Sequence, residues 1–568
     1  MSIENGSVVV TPPDLTTKVN SSVSGFVTDE NDAPVLGATV KVAGSTTTTD
    51  KYGYFEFNNI QVIQTAATVA VSRSGYFKSI KTFWAKDGKS AFFRVKLIPK
   101  NINGTIEAAS GGTMTLLNGL SVKLPAASVV VATTNAAYTG PVNISSTYLD
   151  PLSSEINKTM LGDRRGIELT GAMKLLKNYG IVAIELTGSA GESLQIASGK
   201  KATLTIPIPN SMVATASATI SFYYFDENTG LWKEEETATK SGNSYTGDVS
   251  HFTYWSSNNV ISNAVYVDFT AVDNTGLPIP NQDVWVNIPN DFPISWGYTD
   301  LNGYCGGPAP ENSQLSVTVS ICNTMAIYTF PFVTGTINLS LGNLIINSPQ
   351  IAHLSGTVSA CNGTPITNGC VYCSYNNQWK RYNLSNTGSF LFNTVLCPSP
   401  GSVEIVAQNL NTMEYSNQAT FSIASGNNNL GNIVACNPAL EFIYYSIDGV
   451  PYNITSPIGL IFQQIWQGAP TTADEEIWAY NNAAPYNSFN CAFTQQNIGT
   501  GSIQDLHGLR CTQLSDSLIA VGQIPVHITE FGNVGDHISG NFSGTMQVYT
   551  NPNVTHTISC NFRATRNH

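Results

Sequence analysis

Seven histidines are the residues of this chain best suited to acid–base catalysis near neutral pH. None lies in an H-E-x-x-H zinc motif, and the chain has neither a G-x-S-x-G nucleophile motif nor a phosphate-binding loop. His251 lies in an aromatic run between Ser250 and Phe252, without the acid and nucleophile that a catalytic base needs. We therefore expect a structural role for His251 and no catalytic site around this set: His251, His353, His507, His527, His537, His556 and His568.

Cys370 and Cys373 form a C-x-x-C pair, a spacing that redox enzymes and zinc sites use. A redox pair needs a helix N-terminus to lower the thiol pKa, whereas these cysteines fall in a predicted strand. Strand residues three apart point to opposite faces, and no second pair follows at a zinc-binding spacing. The sequence favours a structural role, with separate disulfide partners or burial as thiols.

Three acidic runs could hold a cation or a pair of catalytic carboxylates. The run 29–32 offers oxygen ligands for calcium but lacks the D-x-D-x-D-G spacing, so a solvated turn is the favoured interpretation. The runs 234–236 and 474–476 place acids side by side, which cannot by itself set two carboxylates across a cleft. We expect no enzymatic activity, no metal site and no cofactor, with structural calcium as the alternative.

The composition is typical of an extracellular β-sheet protein. Charged residues make up 11% of the 568 residues, against about 25% in ordinary globular proteins. A net charge of −12 without a basic stripe argues against a nucleic-acid partner. The apolar runs are too short to span a bilayer, and a chain of this length should hold several domains.

The first residues, MSIENGSVVV, show neither the basic segment nor the apolar segment of a signal peptide. We interpret the chain as the mature part of an exported protein with an added Met1. Its ten cysteines, none of them in the first 304 residues, fit disulfides formed in an oxidising compartment. The alternative is that they are buried thiols, which pack as small hydrophobic residues.

The elements that carry these residues follow a pattern that occurs three times. Gly25–Phe57 alternates strand, polar turn and strand, and it ends in a hairpin around Gly53. Three such patterns in the same order make a structural repeat. In each, a proline is followed six and eight residues later by two predicted core residues: Pro34 by Val40 and Val42, Pro278 by Val284 and Val286, and Pro365 by Val371 and Cys373.

Two resemblances follow from these segments. Residues 101–259 resemble the β-sandwich domain of cartilage intermediate layer proteins, through Phe225–Trp232 and His251–Trp255. The repeat resembles the carboxypeptidase regulatory-like (transthyretin-like) module of Bacteroidetes-type surface lipoproteins. Both resemblances imply a fold and no catalysis. The first copy matches the module at Gly25, Val27, Asp29, Pro34, Gly37, Ala38, Val40, Val42, Thr49, Asp50 and Gly53.

The predicted fold class is therefore all-β, with β-sandwich domains in series. A short helix around Ile167–Leu176 is a candidate exception. The predicted divisions are a flexible leader (1–20), the first module (21–100), the large domain (101–259), a degenerate second module (260–348), a cysteine-rich third module (349–437) and the C-terminal domain (438–568).

Two cysteines of the third module are candidates for a disulfide. Cys361 ends the first predicted strand and Cys436 follows the last, and these strands lie close together in sandwiches of this type. A bridge requires Cα atoms about 4.4–6.8 Å apart. We predict a Cys361–Cys436 bridge, and the other disulfide candidates are Cys305, Cys322, Cys491 and Cys511.

The repeat also places two aromatic residues on the outer faces of their modules. Lys41 lies between Val40 and Val42, and its counterparts are Trp285 and Tyr372. Because strand side chains alternate, both aromatics should point away from their own module's core. Packing against a neighbouring module would explain them, and so would a platform that stacks on a sugar or protein ligand.

These features favour a non-enzymatic cell-surface or secreted protein that binds or adheres. The alternatives are a carbohydrate-binding accessory protein of a surface glycan-utilisation system and a hydrolase whose site is not recognisable from sequence. The expected partner is an extracellular glycan or protein, and membrane contact would come only through a lipid anchor removed from this chain. The expected location is the outer-membrane surface or the extracellular space.

Overall fold

The computed structural model describes residues 12–566, apart from 290–292, 322–324, 398–400, 413, 438–440, 456–458, 467–473, 482–487, 495–497, 515 and 533–536. In the described part, strands dominate, and the helical turns are α1 (Ile156–Thr159) and a 3₁₀ turn at Asn210–Thr215. The candidate helix at Ile167–Leu176 is wrong, because its two ends pair as antiparallel strands through Ile167 and Met173.

The first module is a two-sheet sandwich. The strands are β1 Lys18–Thr28, β2 Thr39–Val42, β3 Ser45–Thr48, β4 Tyr54–Ile63, β5 Ala67–Ser72, β6 Ser79–Phe83 and β7 Ser90–Lys96. The first strand begins at Lys18, inside the predicted flexible leader. The sheets have the orders β4–β1–β7 and β3–β2–β5–β6, and Val40 and Val42 are fully buried between them while Lys41 is exposed.

The large domain packs its sheet around a core that includes Phe222, Tyr245 and Trp255. Its last strand runs to Ser262, beyond the predicted boundary at 259. Its strands are β8 Ile102–Glu107, β9 Gly112–Thr115, β10 Ser121–Leu124, β11 Val129–Val131, β12 Pro141–Leu149, β13 Arg165–Ile167, β14 Met173–Thr187, β15 Ser193–Ile196, β16 Ala202–Pro207, β17 Thr219–Asp226, β18 Leu231–Ser241, β19 Ser244–Val249 and β20 Tyr254–Ser262.

The second module has β21 Ala264–Val272, β22 Asp283–Asn287, β23 Ile294–Tyr298, β24 Tyr304–Pro310, β25 Gln314–Ile321, β26 Met325–Val333 and β27 Leu339–Ile345. The third has β28 Ile351–Ser359, β29 Gly369–Tyr375, β30 Gln378–Asn383, β31 Ser389–Val395, β32 Gly401–Asn409, β33 Tyr415–Ser416, β34 Ala419–Ile423 and β35 Gly426–Asn437. In all three modules the first strand pairs antiparallel with the strand after the glycine turn and parallel with the last strand. The predicted repeat is therefore present in the fold.

The polar turn and the glycine turn are built alike in the three modules. Gly53 has a φ of +76°, and a Cβ added to it would lie 2.3 Å from the carbonyl oxygen of Val27. A Cβ at Gly303 would lie 2.2 Å from the carbonyl oxygen of Ala271, so glycine is required at both positions. The proline of each polar turn forms an isolated bridge with the first strand: Thr28–Pro34, Val272–Pro278 and Ser359–Pro365.

The C-terminal domain is a ten-stranded sheet closed by a long hairpin. Ile538, Phe542 and Met546 of that hairpin are buried, as their predicted common face requires. The strands are β36 Phe442–Ile447, β37 Val450–Thr455, β38 Gly459–Trp466, β39 Asp474–Asn481, β40 Ser488–Thr494, β41 Ile503–Cys511, β42 Leu518–Ala520, β43 Pro525–Phe531, β44 His537–Val548 and β45 Asn551–Thr565.

Candidate functional site

Tyr372 points away from its own module, as strand alternation predicts, but it is not a ligand platform. Only 2% of its surface is exposed, because its ring packs on Tyr52 of the first module with centroids 4.2 Å apart. Its hydroxyl donates a hydrogen bond to the carboxylate of Asp50. The platform interpretation is therefore wrong for Tyr372, which packs between modules.

Trp285 of the second module also packs against neighbouring domains. Its half-buried ring packs against a cluster that includes Phe77 and Ile80 of the first module and Leu149 of the large domain. Its indole Nε1 donates to the Oδ2 atom of Asp283 at 2.8 Å. Neighbouring domains cover the ring, so the platform interpretation is wrong for Trp285 as well.

This placement predicts a loss of stability for Trp285→Ala. Removing the ring leaves a cavity between three domains and takes one hydrogen bond from Asp283, so we expect a loss of about 3 kcal/mol, near the low end for buried tryptophans. The matched control is Lys41→Ala, which changes the equivalent, exposed position of the first module and should shift stability by less than about 0.5 kcal/mol. Thermal unfolding of both variants measures the difference, and equal midpoints would contradict the packing role.

Arg381 of the third module is buried against the first module. Its Nη1 lies 3.1 Å from the Oε2 atom of Glu56, and its guanidinium lies over the ring of Tyr54, 4.7 Å from the centroid. Arg94 of the first module donates in return to the carbonyl oxygen of Trp379 at 2.9 Å. Buried charges are tolerated only when they are paired, so these contacts favour one orientation of the two modules.

The first and second modules share a sheet. Phe92 of β7 pairs with Tyr298 of β23, which joins strands of both modules into one seven-stranded sheet. Lys86 forms an ion pair with the buried Asp268 at 2.5 Å. The hydroxyl of Ser90 donates to the carboxylate of Asp300, whose pKa burial raises.

The helical turn α1 of the large domain lies where three domains meet. The Nζ atom of the buried Lys81 donates to the carbonyl oxygens of Asn157 at 2.8 Å and Met160 at 2.6 Å. Burial lowers the pKa of Lys81 to about 7. The Asn157 side chain donates to the Oδ1 atom of Asp283 at 3.0 Å, so this one residue links the first and second modules through the large domain.

Asp283 makes this junction sensitive to pH. Burial raises its pKa to about 6, so the folded state favours the neutral acid. The resulting stabilisation is complete below the ordinary pKa near 3.8 and is lost as the pH rises through about 6. We expect the difference in stability between wild type and Asp283→Asn to change by about 2 kcal/mol between pH 4 and pH 7. Calorimetry over this range measures it, with Asp248→Asn as a surface control, and a pH-independent difference would contradict the assignment.

A cavity of about 80 Å³ lies at the junction, bordered by Trp84, Trp296 and Tyr304. A water molecule needs roughly 10–15 Å³ on this measure, so the cavity has room for about five waters. Small-molecule sites usually begin at about 300 Å³. The aromatic lining therefore belongs to the packing of the domains, and the cavity is too small for a sugar ring.

Some of the cysteines form disulfides, and others are buried as free thiols. Cys361 and Cys436 form the expected disulfide, with Cα atoms 5.1 Å apart, because the first and last strands of the third module are parallel neighbours. Cys397 is also disulfide-bonded, and the candidate Cys322 lies outside the described residues. The disulfide assignment is wrong for the other three candidates, whose side chains are buried in apolar cores as free thiols: Cys305, Cys491 and Cys511.

Both members of the C-x-x-C pair, Cys370 and Cys373, are free and buried. Their side chains belong to different clusters, as the strand spacing predicts. Burial raises the pKa of both thiols, that of Cys373 to about 12. Raised pKa values leave little thiolate at neutral pH, the opposite of what a redox pair needs.

Asp29 and His251, which were considered for metal binding and catalysis, contact residues of their own domains. The Oδ1 atom of Asp29 accepts hydrogen bonds from the backbone of Asn31 and Ala33, both at 2.9 Å, and so closes the polar turn. The ring of His251 packs against Tyr224 and Trp255. Within the described residues there is no group of three or more His, Cys, Asp or Glu side chains that could hold a metal ion.

Among the described residues, no helix has the length and apolar character needed to cross a membrane.

One mammalian protein matches part of the chain, the mouse cartilage intermediate layer protein 2, with 24% identity over 163 residues. The match covers 27% of this chain and 14% of that protein.

Solved structures of two proteins cover 74% of the chain at low similarity. The Bacillus anthracis TIE protein is 10% identical with a TM-score of 0.15, over 50% of its own chain. The major pilin subunit BcpA of Bacillus cereus is 9% identical with a TM-score of 0.12, over its whole chain.

The family model of the carboxypeptidase regulatory-like domain matches residues 22–97. The module at the junction, residues 22–97, is thus a carboxypeptidase regulatory-like domain.

Proposed function

We propose that this chain is a non-enzymatic cell-surface or secreted binding protein. In this proposal the first module holds the large domain and the other two modules in a fixed arrangement, from which the C-terminal domain extends. The partner is an extracellular glycan or protein, and the native protein is attached through a lipid anchor outside this chain. No cofactor enters the proposal.

The observation that carries this proposal is where the buried polar groups lie. Burial lowers the pKa of Lys81 and raises those of Asp283 and Asp50, and shifted pKa values are often found in active sites. Each of the three is hydrogen-bonded to a neighbouring domain rather than directed into an open cleft. Structural networks shift pKa values in the same way, so these groups support a role in fixing domains.

Binding of the intact chain to an array of extracellular glycans and matrix proteins tests the proposal. We expect retention on at least one class of ligand and no release of reducing sugar from polysaccharides or of peptides from the matrix proteins. Hydrolysis of a bound ligand would overturn the non-enzymatic role. Failure to bind any member of either class would overturn the binding role.

A further inference from the structure

An exposed tryptophan lies on the outer face of the C-terminal domain. Trp478 is in the middle of β39, between Ile477 and Ala479, whose side chains are fully buried in the core. Because strand side chains alternate, Trp478 points away from that core, and 37% of its surface is exposed. The contacts between domains described above do not involve it, so domain packing does not account for this ring.

A carboxylate holds the indole of Trp478 in place. Its Nε1 donates to the Oε2 atom of Glu476 at 2.6 Å. Asn490 of β40 lies directly opposite Trp478, and its Nδ2 atom donates to the same oxygen at 3.4 Å. An indole whose Nε1 edge is bonded to a residue of its own strand lies along the sheet, with one face toward the strands and the other toward solvent. A ring fixed in this way loses little conformational freedom when a ligand stacks on it.

The same outer face continues onto β41. Arg510 lies directly opposite Asn490, and its exposed side chain stands between the buried Leu509 and Cys511. Side chains directly opposite each other in antiparallel strands lie about 5 Å apart. Trp478, Asn490 and Arg510 therefore form a row about 10 Å long across three strands.

Small residues lie beside this row. Ala492 lies opposite Glu476, and Gly508 lies opposite Ala492 on the next strand. These residues are too short to screen Asn490 and Arg510 from a ligand that approaches over the sheet.

The chemistry of this face fits a glycan better than a protein partner. Among its described side chains, the large apolar surface is a single indole, whereas a stable protein interface buries about 800 Å² on each partner around an apolar core. A sugar ring needs one aromatic face for its C–H surface and a few placed donors and acceptors for its hydroxyls. The indole, a carboxylate, an amide and a guanidinium provide these.

Charge decides between neutral and acidic glycans. The face carries both signs, on Glu476 and Arg510, so a charged ligand would meet one like charge at close range. The net charge of the chain, −12, further disfavours an acidic glycan. A neutral glycan meets neither penalty.

We propose that the face formed by Glu476, Trp478, Asn490 and Arg510 binds a neutral glycan. A sugar ring stacks on Trp478, and the polar side chains bond its hydroxyls. This assignment rests on the proposed binding function and names its site and its class of ligand.

Isothermal titration of the intact chain with a panel of neutral and uronic-acid oligosaccharides tests the assignment. We expect binding to neutral members and a loss of affinity of about tenfold or more in Trp478→Ala. Arg510→Ala removes an exposed side chain, so it should leave the thermal midpoint unchanged while lowering the affinity about threefold. The matched control is Ile503→Ala, which removes an exposed apolar side chain of β41 about 20 Å along the strand from Arg510. It should stay within about twofold of wild type.

Thermal midpoints of all variants separate lost binding from lost folding, and Arg510→Ala decides the matter if Trp478→Ala does not fold. Unchanged affinity in a folded Trp478→Ala or in Arg510→Ala would overturn the assignment, and so would binding to acidic members only. Retention on matrix proteins without binding to any glycan would overturn it too, while the binding function stands. Retention on neither class would overturn the binding function itself.

Discussion

Replacing Arg381 with alanine should detach the third module from the first. The change leaves the partly buried Glu56 without its ion pair and removes the cation from the ring of Tyr54. Breaking a buried pair by removing one partner costs about 3–5 kcal/mol. We expect a new unfolding transition at lower temperature in calorimetry, together with faster protease cleavage near the start of the third module.

The control is a double-mutant cycle with Glu56→Gln. Because the glutamine removes the unpaired charge, the double variant should lose less than the sum of the two single losses, with a coupling of about 1 kcal/mol or more. Additive losses, or a single transition at the wild-type midpoint in Arg381→Ala, would show that this contact does not dock the module.

Gly53→Ala should destabilise the first module by about 2–4 kcal/mol, because an L-residue is strained at this φ and its Cβ would meet the carbonyl oxygen of Val27. The matched control is Gly44→Ala in the same module, where an added Cβ has no atom within 4 Å. That variant should lie within about 1 kcal/mol of wild type. Chemical denaturation followed by fluorescence measures both, and equal stabilities would contradict the requirement for glycine at position 53.

The repeat could be predicted from sequence because its determinants are local. The spacing from Pro34 to Val40 and Val42 depends only on a turn and on strand alternation, and the structure reproduces it in each module. Alternation also predicted the directions of Trp285 and Tyr372 correctly. What each ring meets depends on domains far away in the chain, which no local pattern encodes.

The cysteines also show that local patterns do not encode contacts between distant parts of the chain. Cys361 follows β28 and Cys436 lies near the end of β35, and the module fold makes these strands neighbours, so the pairing followed from the repeat. Cys491 and Cys511 belong to a domain without a recognised template, and an even number of cysteines could not distinguish bridges from buried thiols.

We infer that the first module contacts its neighbours in one fixed arrangement, so that the domains do not form a flexible string. Zero-length carbodiimide crosslinking of the native chain, mapped by mass spectrometry, tests it most directly. Lys201 and Glu236, an ion pair within the large domain, provide the positive control. The structure predicts crosslinks from Lys78 to Glu227 and from Lys86 to Asp268, pairs that join the first module to the large domain and to the second module at 2.5 Å. Recovery of the Lys201–Glu236 link without either inter-domain link would contradict the arrangement.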